Sequence, residues 1–229
     1  MSRPVVWCLS GLLAAAASTC GLGFATSAAA QTYAVTNLSD SGGEGDGSLR
    51  GEVRAANKHE GPDTVVFAGG LEGTITFGAA GIVVSDPVDI EGPGSGQVTI
   101  RQTVAHRVFE IEPSGGTVKI AGLHLADGIA PSGGAHPNAG GDVLNAGASL
   151  TLEDDLITGG EAEQDGGIDS YEGPLALRSS TVSDNEAPTM PGCRSAARGS
   201  PGRSSTRRSK ATPRPATSAA SAARPMATG

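Results

Sequence analysis

Three segments of this chain superimpose: Val118–Gly128, Leu150–Gly160 and Leu175–Asn185. In each, apolar residues fall at the first, third and eighth places: Val118, Ile120 and Leu125; Leu150, Leu152 and Ile157; Leu175, Leu177 and Val182. Each segment closes on a small or turn-forming pair, Asp127-Gly128, Gly159-Gly160 or Asp184-Asn185. The last two copies lie 25 residues apart, and the Gly-rich run before them keeps that offset, with Val143 falling on Ile168. The first two lie 32 apart, and the Pro- and Gly-rich stretch Ala130 to Asn138 accommodates the extra residues as an inserted loop. One such unit has three short apolar runs and three turns, too little to bury a core. Stacked units can pair every backbone amide with the next unit while inward residues form an apolar column.

The remaining runs fit this reading. Thr64–Phe67, Gly73–Phe77, Val88–Ile90, Val98–Ile100 and Arg107–Ile111 alternate with period two and read as strands. A leucine-rich repeat would need a Leu-x-x-Leu-x-Leu consensus, and a propeller would need blades of roughly 40 residues with aromatic markers. Neither pattern is present. The predicted fold is all-β, a right-handed parallel β-helix over 63–190; a β-sandwich is the alternative. Ser48–Asn57 differs, because Leu49, Val53 and Ala56 recur at helical spacing with Arg50, Glu52 and Arg54 turned elsewhere. The expectation is an N-terminal cap over 31–62 whose short helix covers the open end of the stack.

The two ends of the chain have different compositions. Arg3, the apolar run Val5 to Ala17 and Ala28-Ala29-Ala30 make residues 1–30 an expected export signal, cleaved before Gln31. A retained membrane anchor and lipidation at Cys20 are the alternatives. Beyond residue 30 no apolar run is long enough to span a membrane. All 24 acidic residues lie in 31–190 with 7 of the 16 bases, a net charge of −17 that disfavours nucleic acid and anionic membranes as partners. Residues 191–229 carry 8 bases and no acid, among 9 Ala, 7 Arg, 7 Ser and 5 Pro, with no Val, Ile, Leu or aromatic residue. That tail is expected to be disordered. It reads either as a basic linker or, because its residues have GC-rich codons, as a truncated or frame-shifted end.

A family resemblance rests on the order of several motifs: Tyr33-Ala34-Val35-Thr36-Asn37, Gly47-Ser48-Leu49-Arg50 with Ala55-Ala56-Asn57, and Asp63-Thr64-Val65-Val66-Phe67. Asp89-Ile90-Glu91-Gly92-Pro93-Gly94, Gly122-Leu123-His124-Leu125 and Ser179–Asn185 follow in order. Across residues 33–187 the chain resembles bacterial exported right-handed β-helix repeat proteins, those named for a Cys-Ser-Leu-Arg-Glu-Ala motif and the polymorphic outer membrane protein type. Gly47, Gly51 and Glu52 stand where the named motif has Cys, Glu and Ala. The resemblance implies an exported surface or secreted protein, adhesive or structural, with no one defined reaction.

Candidate chemistry is sparse. β-Helix lyases and hydrolases align carboxylates from neighbouring turns of the stack. Here Asp154-Asp155 align with Gly122-Leu123 and Ser179-Ser180, and Asp142 and Asp169 occupy different places. The mature chain has no Trp, and Phe67, Phe77 and Phe109 read as core. His59, His106, His124 and His136 are dispersed, with His124 at an outward, solvated place. Cys193 is alone outside the first thirty residues, so no disulfide framework or zinc-finger spacing exists. The loop Asp40–Asp46 has carboxylates suited to weak calcium binding, but reads as a plain turn. Asn37-Leu38-Ser39 matches a glycosylation acceptor. No catalytic, cofactor-binding or metal-binding residue is assigned, and no cofactor is implied. Two classes follow: a non-catalytic surface or secreted module with glycans or cell-surface polymers as partners, and a carbohydrate-active enzyme or its relic. Outer carboxylate rows would favour the enzyme; an outer face of Thr, Ser and Gly would favour the passive module.

Overall fold

The computed structural model describes residues 29–187 apart from 113 and 115. The export signal falls almost wholly, and the basic tail wholly, outside the described residues. Chain order begins with β1 (Thr32–Val35), α1 (Leu49–Ala56), β2 (Asp63–Phe67), β3 (Gly73–Phe77), β4 (Ile82–Val84) and β5 (Val88–Glu91). It continues through β6 (Val98–Gln102), β7 (Phe109–Ile111), β8 (Thr117–Ala121), β9 (His124–Ala126) and β10 (Val143–Asn145). The last strands are β11 (Ser149–Glu153), β12 (Leu156–Thr158), β13 (Ile168–Ser170), β14 (Leu175–Arg178) and β15 (Thr181–Ser183). Over the described residues the fold is all-β with one short helix.

Among the described residues every strand pairing is parallel, and the strands sort into three sheets. A six-stranded sheet runs β1-β2-β5-β8-β11-β14, a five-stranded sheet β3-β6-β9-β12-β15, and a four-stranded sheet β4-β7-β10-β13. From β2 onward each sheet therefore takes every third strand. Their registers carry the sequence alignment: Val118 faces Leu150 and Leu150 faces Leu175, while Leu125, Ile157 and Val182 are successive neighbours. Val143 faces Ile168. Parallel bridges tie Ile129 to Glu161 and Ala139 to Gln164, offsets of 32 and 25, so the insertion lies between residues 129 and 139.

Period two turns one side chain of each pair inward. Val65, Ile90, Ile120 and Leu152 form one fully buried row, and Ile75, Ile100, Leu125 and Ile157 form another. Phe109 and Val143 are equally buried in the four-stranded sheet. Among the described residues the rows run out at β14 and β15. Leu177 and Val182, their last members, are 46 % and 43 % exposed.

Corners between strands repeat a backbone conformation as well as a position. Gly122, Asp154 and Ser179 align and have φ of 64°, 54° and 50°. Asp127, Gly159 and Asp184 do the same at 60°, 75° and 55°. Left-handed backbone at each corner explains why Gly and Asp recur there, since other side chains crowd the following carbonyl.

Helix α1 has Ser48 as its N-cap, whose hydroxyl accepts the Gly51 amide at 3.1 Å, and Asn57 as its C-cap. It packs against β1, β2 and β4. Leu49, Val53 and Ala56 are buried as expected, but Arg50 and Glu52 are buried too. That corrects the outward placement expected for these two charges. Glu52 accepts the Gly47 amide at 2.8 Å, and Arg50 is enclosed by Asp40, Gly81 and Phe77. A Cβ on Gly51 would lie 2.1 Å from the Gly43 carbonyl, so this position lets the loop 40–46 rest on the helix.

Candidate functional site

The outer faces of the sheets differ in chemistry. On the five-stranded sheet, Thr74, Thr99, His124, Leu156 and Thr181 form one outward row. Thr76, Arg101, Ala126, Thr158 and Ser183 form the next. Hydroxyls dominate both, and neither contains a carboxylate. His124 is half-buried rather than solvated as the sequence suggested. Its Nδ1 lies 3.2 Å from Thr99 Oγ1 and its Nε2 2.8 Å from Thr158 Oγ1, so one imidazole bridges both neighbouring strands. Burial lowers its pKa, with Asp127 opposing, which keeps the ring neutral and able to donate from one nitrogen and accept at the other. Arg101 is paired with Asp127 at 2.9 Å.

Outward carboxylates on the six-stranded sheet surround a lysine. Asp89 and Thr151 flank Lys119 in register, and Lys119 Nζ lies 3.4 Å from Glu91 and 4.0 Å from Glu153. On the four-stranded sheet, Val83, Glu110, Leu144 and Asp169 share a row. Asp142 and Asp169 thus occupy different places, Asp169 opposite Leu144 and Asp142 next to Val143. Arg107 is 5 % exposed and clamps the inserted loop, donating from Nε and Nη2 to the Ala139 carbonyl and from Nη2 to that of His136. The His136 ring meets Tyr171 with centroids 4.7 Å apart.

The acidic loop is occupied by its own partners. Asp40 pairs with Arg50, Glu44 with Lys58, and Asp46 accepts from Ser41 Oγ and the amides of Gly43 and Ser48. Those hydrogen bonds hold the Asp46 carboxyl well below its ordinary range. Asn37 is likewise engaged, accepting the Ser39 amide at 3.0 Å and donating to the Asp46 carbonyl at 3.0 Å. No group of three or more metal-ligating side chains occurs among the described residues.

Asp142 and Asp155, weighed in the sequence only as members of a carboxylate row, are buried. Burial raises Asp142 to about 8 and Asp155 to about 7, against the amide hydrogen bonds that favour their ionised forms. Perturbed acids often mark active sites. These two sit at corners instead, Asp142 accepting from the Gly128 amide and Asp155 from the amides of Leu123 and Glu153. The only sequence hint was Asp155's alignment with buried Leu123.

Two depressions flank β4, and neither buried carboxyl lines them. One of about 260 Å³ is lined by Arg50, Arg54, Asn57 and residues 80–83; a smaller one of about 50 Å³ is lined by His106, Arg107, Glu110 and Pro131 beside Ala80, Gly81 and Val83. No helix among the described residues is long and apolar enough to cross a membrane. Compared with known proteins, the chain matches no family model, no curated protein and no solved structure.

Proposed function

We propose that the chain is a non-catalytic exported module, surface-bound or secreted, built as a right-handed parallel β-helix and acting in adhesion or as a structural spacer toward glycans or cell-surface polymers. The recurrence of every third strand in each sheet supports the solenoid reading, and right-handed crossovers are the strong default for parallel strands. The family proposed from its motifs, the exported β-helix repeat proteins, is of the same kind.

One observation carries the functional part. The five-stranded sheet presents Thr74, Thr76, Thr99, Thr158, Thr181 and Ser183 with no carboxylate in either outward row. The hydroxyls can hydrogen-bond a polymer but supply no general acid or base at neutral pH, and both ring nitrogens of His124, the one titratable base between them, are engaged by Thr99 and Thr158. Glycosidases need two converging carboxyls, and the outward acids of the six-stranded sheet face Lys119 instead.

The test is a polysaccharide panel incubated with the full chain, followed by pull-down and by assays for new reducing ends and unsaturated products. Retention of a polymer without product is expected. Product formation would overturn the reading in favour of a lyase or hydrolase.

A further inference from the structure

We propose that the groove between α1 and residues 80–83 is an anion subsite that takes the carboxylate of an acidic sugar; the inference deepens, and rests on, the glycan-binding reading above. Arg50 is 8 % exposed. Its guanidinium is fixed from three sides, by Asp40 Oδ1 on Nε at 2.5 Å, by the Gly81 carbonyl on Nη1 at 2.9 Å, and by the Phe77 ring 4.5 Å beneath. Nη2 has no partner among the described residues. Buried donors are nearly always paired, and an unpaired guanidinium nitrogen is costly.

Arg54 supplies the second cation. It lies one helical turn on, at i+4, so the two side chains share a helix face. Its Nη1 donates to the Gly42 carbonyl at 2.7 Å, which positions it without neutralising it. Arg54 makes no ion pair among the described residues, whereas Asp40 already balances Arg50. Counting these two arginines and Asp40 alone, the groove keeps one positive charge within a region of net −17, a local excess suited to a single carboxylate and not to a polyanion. Both arginines line the groove, and its lining contains no Asp or Glu. At about 260 Å³ it is slightly smaller than most small-molecule sites, a size suited to one sugar residue. The acidic loop preorganises the site, since Asp40 holds Arg50, the Gly42 carbonyl holds Arg54, and Asp46 secures the turn between them.

Isothermal titration of the full chain would use a glucuronate-containing tetrasaccharide, its carboxyl-reduced counterpart and acetate. Saturable binding of the acidic tetrasaccharide is expected, weakened about tenfold by Arg54→Gln and unchanged by Arg178→Gln, because a charge-assisted pair is lost only in the first. The carboxyl-reduced sugar should bind at least about tenfold more weakly for the same reason. Acetate binding as tightly as the tetrasaccharide, with the same Arg54 dependence, would support the carboxylate subsite and identify small free acids as its source. Binding of both sugars alike, insensitive to Arg54→Gln, would overturn the subsite while leaving the glycan-binding module standing. No binding of any probe would overturn the subsite; the polysaccharide panel then decides the module separately.

Discussion

The side chain of Asn57 donates to the Val83 carbonyl at 2.8 Å and accepts the Ser85 amide at 2.9 Å, so one carboxamide occupies the place of a parallel neighbour on the free edge of β4. The helix C-cap is thereby also a strand cap. Exposed strand edges template association with other chains, and here a side chain and the Arg50 contact to Gly81 close that edge.

Replacing Asn57 with Ala should lower stability by about 0.5–1.5 kcal/mol, because two backbone groups that water can only partly serve lose their partners. Asn57→Asp should cost a similar amount, since a carboxylate cannot donate to Val83. Urea unfolding checks the loss, and light scattering should detect association in both variants. Stability unchanged in Asn57→Ala would show that the cap is dispensable.

A second expectation concerns pH. Asp142 and Asp155 hold protons in the folded chain up to about pH 8 and 7, while an unfolded chain releases them near the ordinary carboxyl range. The folded state then binds more protons than the unfolded state between those limits, and stability falls as pH rises through them. At acid pH the contribution is fully present; above pH 8 it is gone. Asp142→Asn removes one such group, so its stability relative to the parent should improve between about pH 5 and pH 9. A constant difference across that range, measured by denaturation, would refute the raised pKa.

Corner conformation gives a third. At φ 54° Asp154 sits where Gly122 stands in the aligned corner. Asp154→Gly should leave stability equal or higher, whereas Asp154→Val should reduce it by about 1–2 kcal/mol. Equal effects of the two replacements on the melting temperature would contradict a left-handed corner.

Row membership gives a fourth. Ile157 and Val182 are register neighbours, one fully buried and the other 43 % exposed. Ile157→Ala should cost about 2–5 kcal/mol as a cavity. Val182→Ala should cost under about 1 kcal/mol, because little area is recovered from water. Chemical denaturation of both variants separates them; comparable losses would mean that the last strands are covered.

Much of this fold was legible because inward aliphatic side chains alternate and align: Leu150 and Leu175 are neighbours in sequence pattern and in space alike. The inserted loop was legible as a change of offset between the first two copies and the last two. Burial of Arg50 and Glu52 was not, since helical periodicity assigns charges outward and cannot register a loop folding back over the helix at Gly51. His124 escaped for a related reason. Its outward place was readable, but the two threonine hydroxyls that engage it come from strands 25 and 34 residues away. Protonation of Asp142 depends on the corner that encloses it, which no local pattern encodes.

Stacking of successive three-strand units is the claim on which the rest depends, and paired cysteines test it most directly. In a chain whose three native cysteines are replaced by Ser, Thr151→Cys with Ala176→Cys places two thiols on directly facing positions of β11 and β14. Neighbouring strands lie about 4.8 Å apart, within disulfide reach, whereas Thr151→Cys with Arg178→Cys is offset by two residues and exceeds about 7 Å. Rapid oxidation of the first pair with little of the second is the predicted result. Equal or reversed cross-linking of the two pairs would contradict the parallel register.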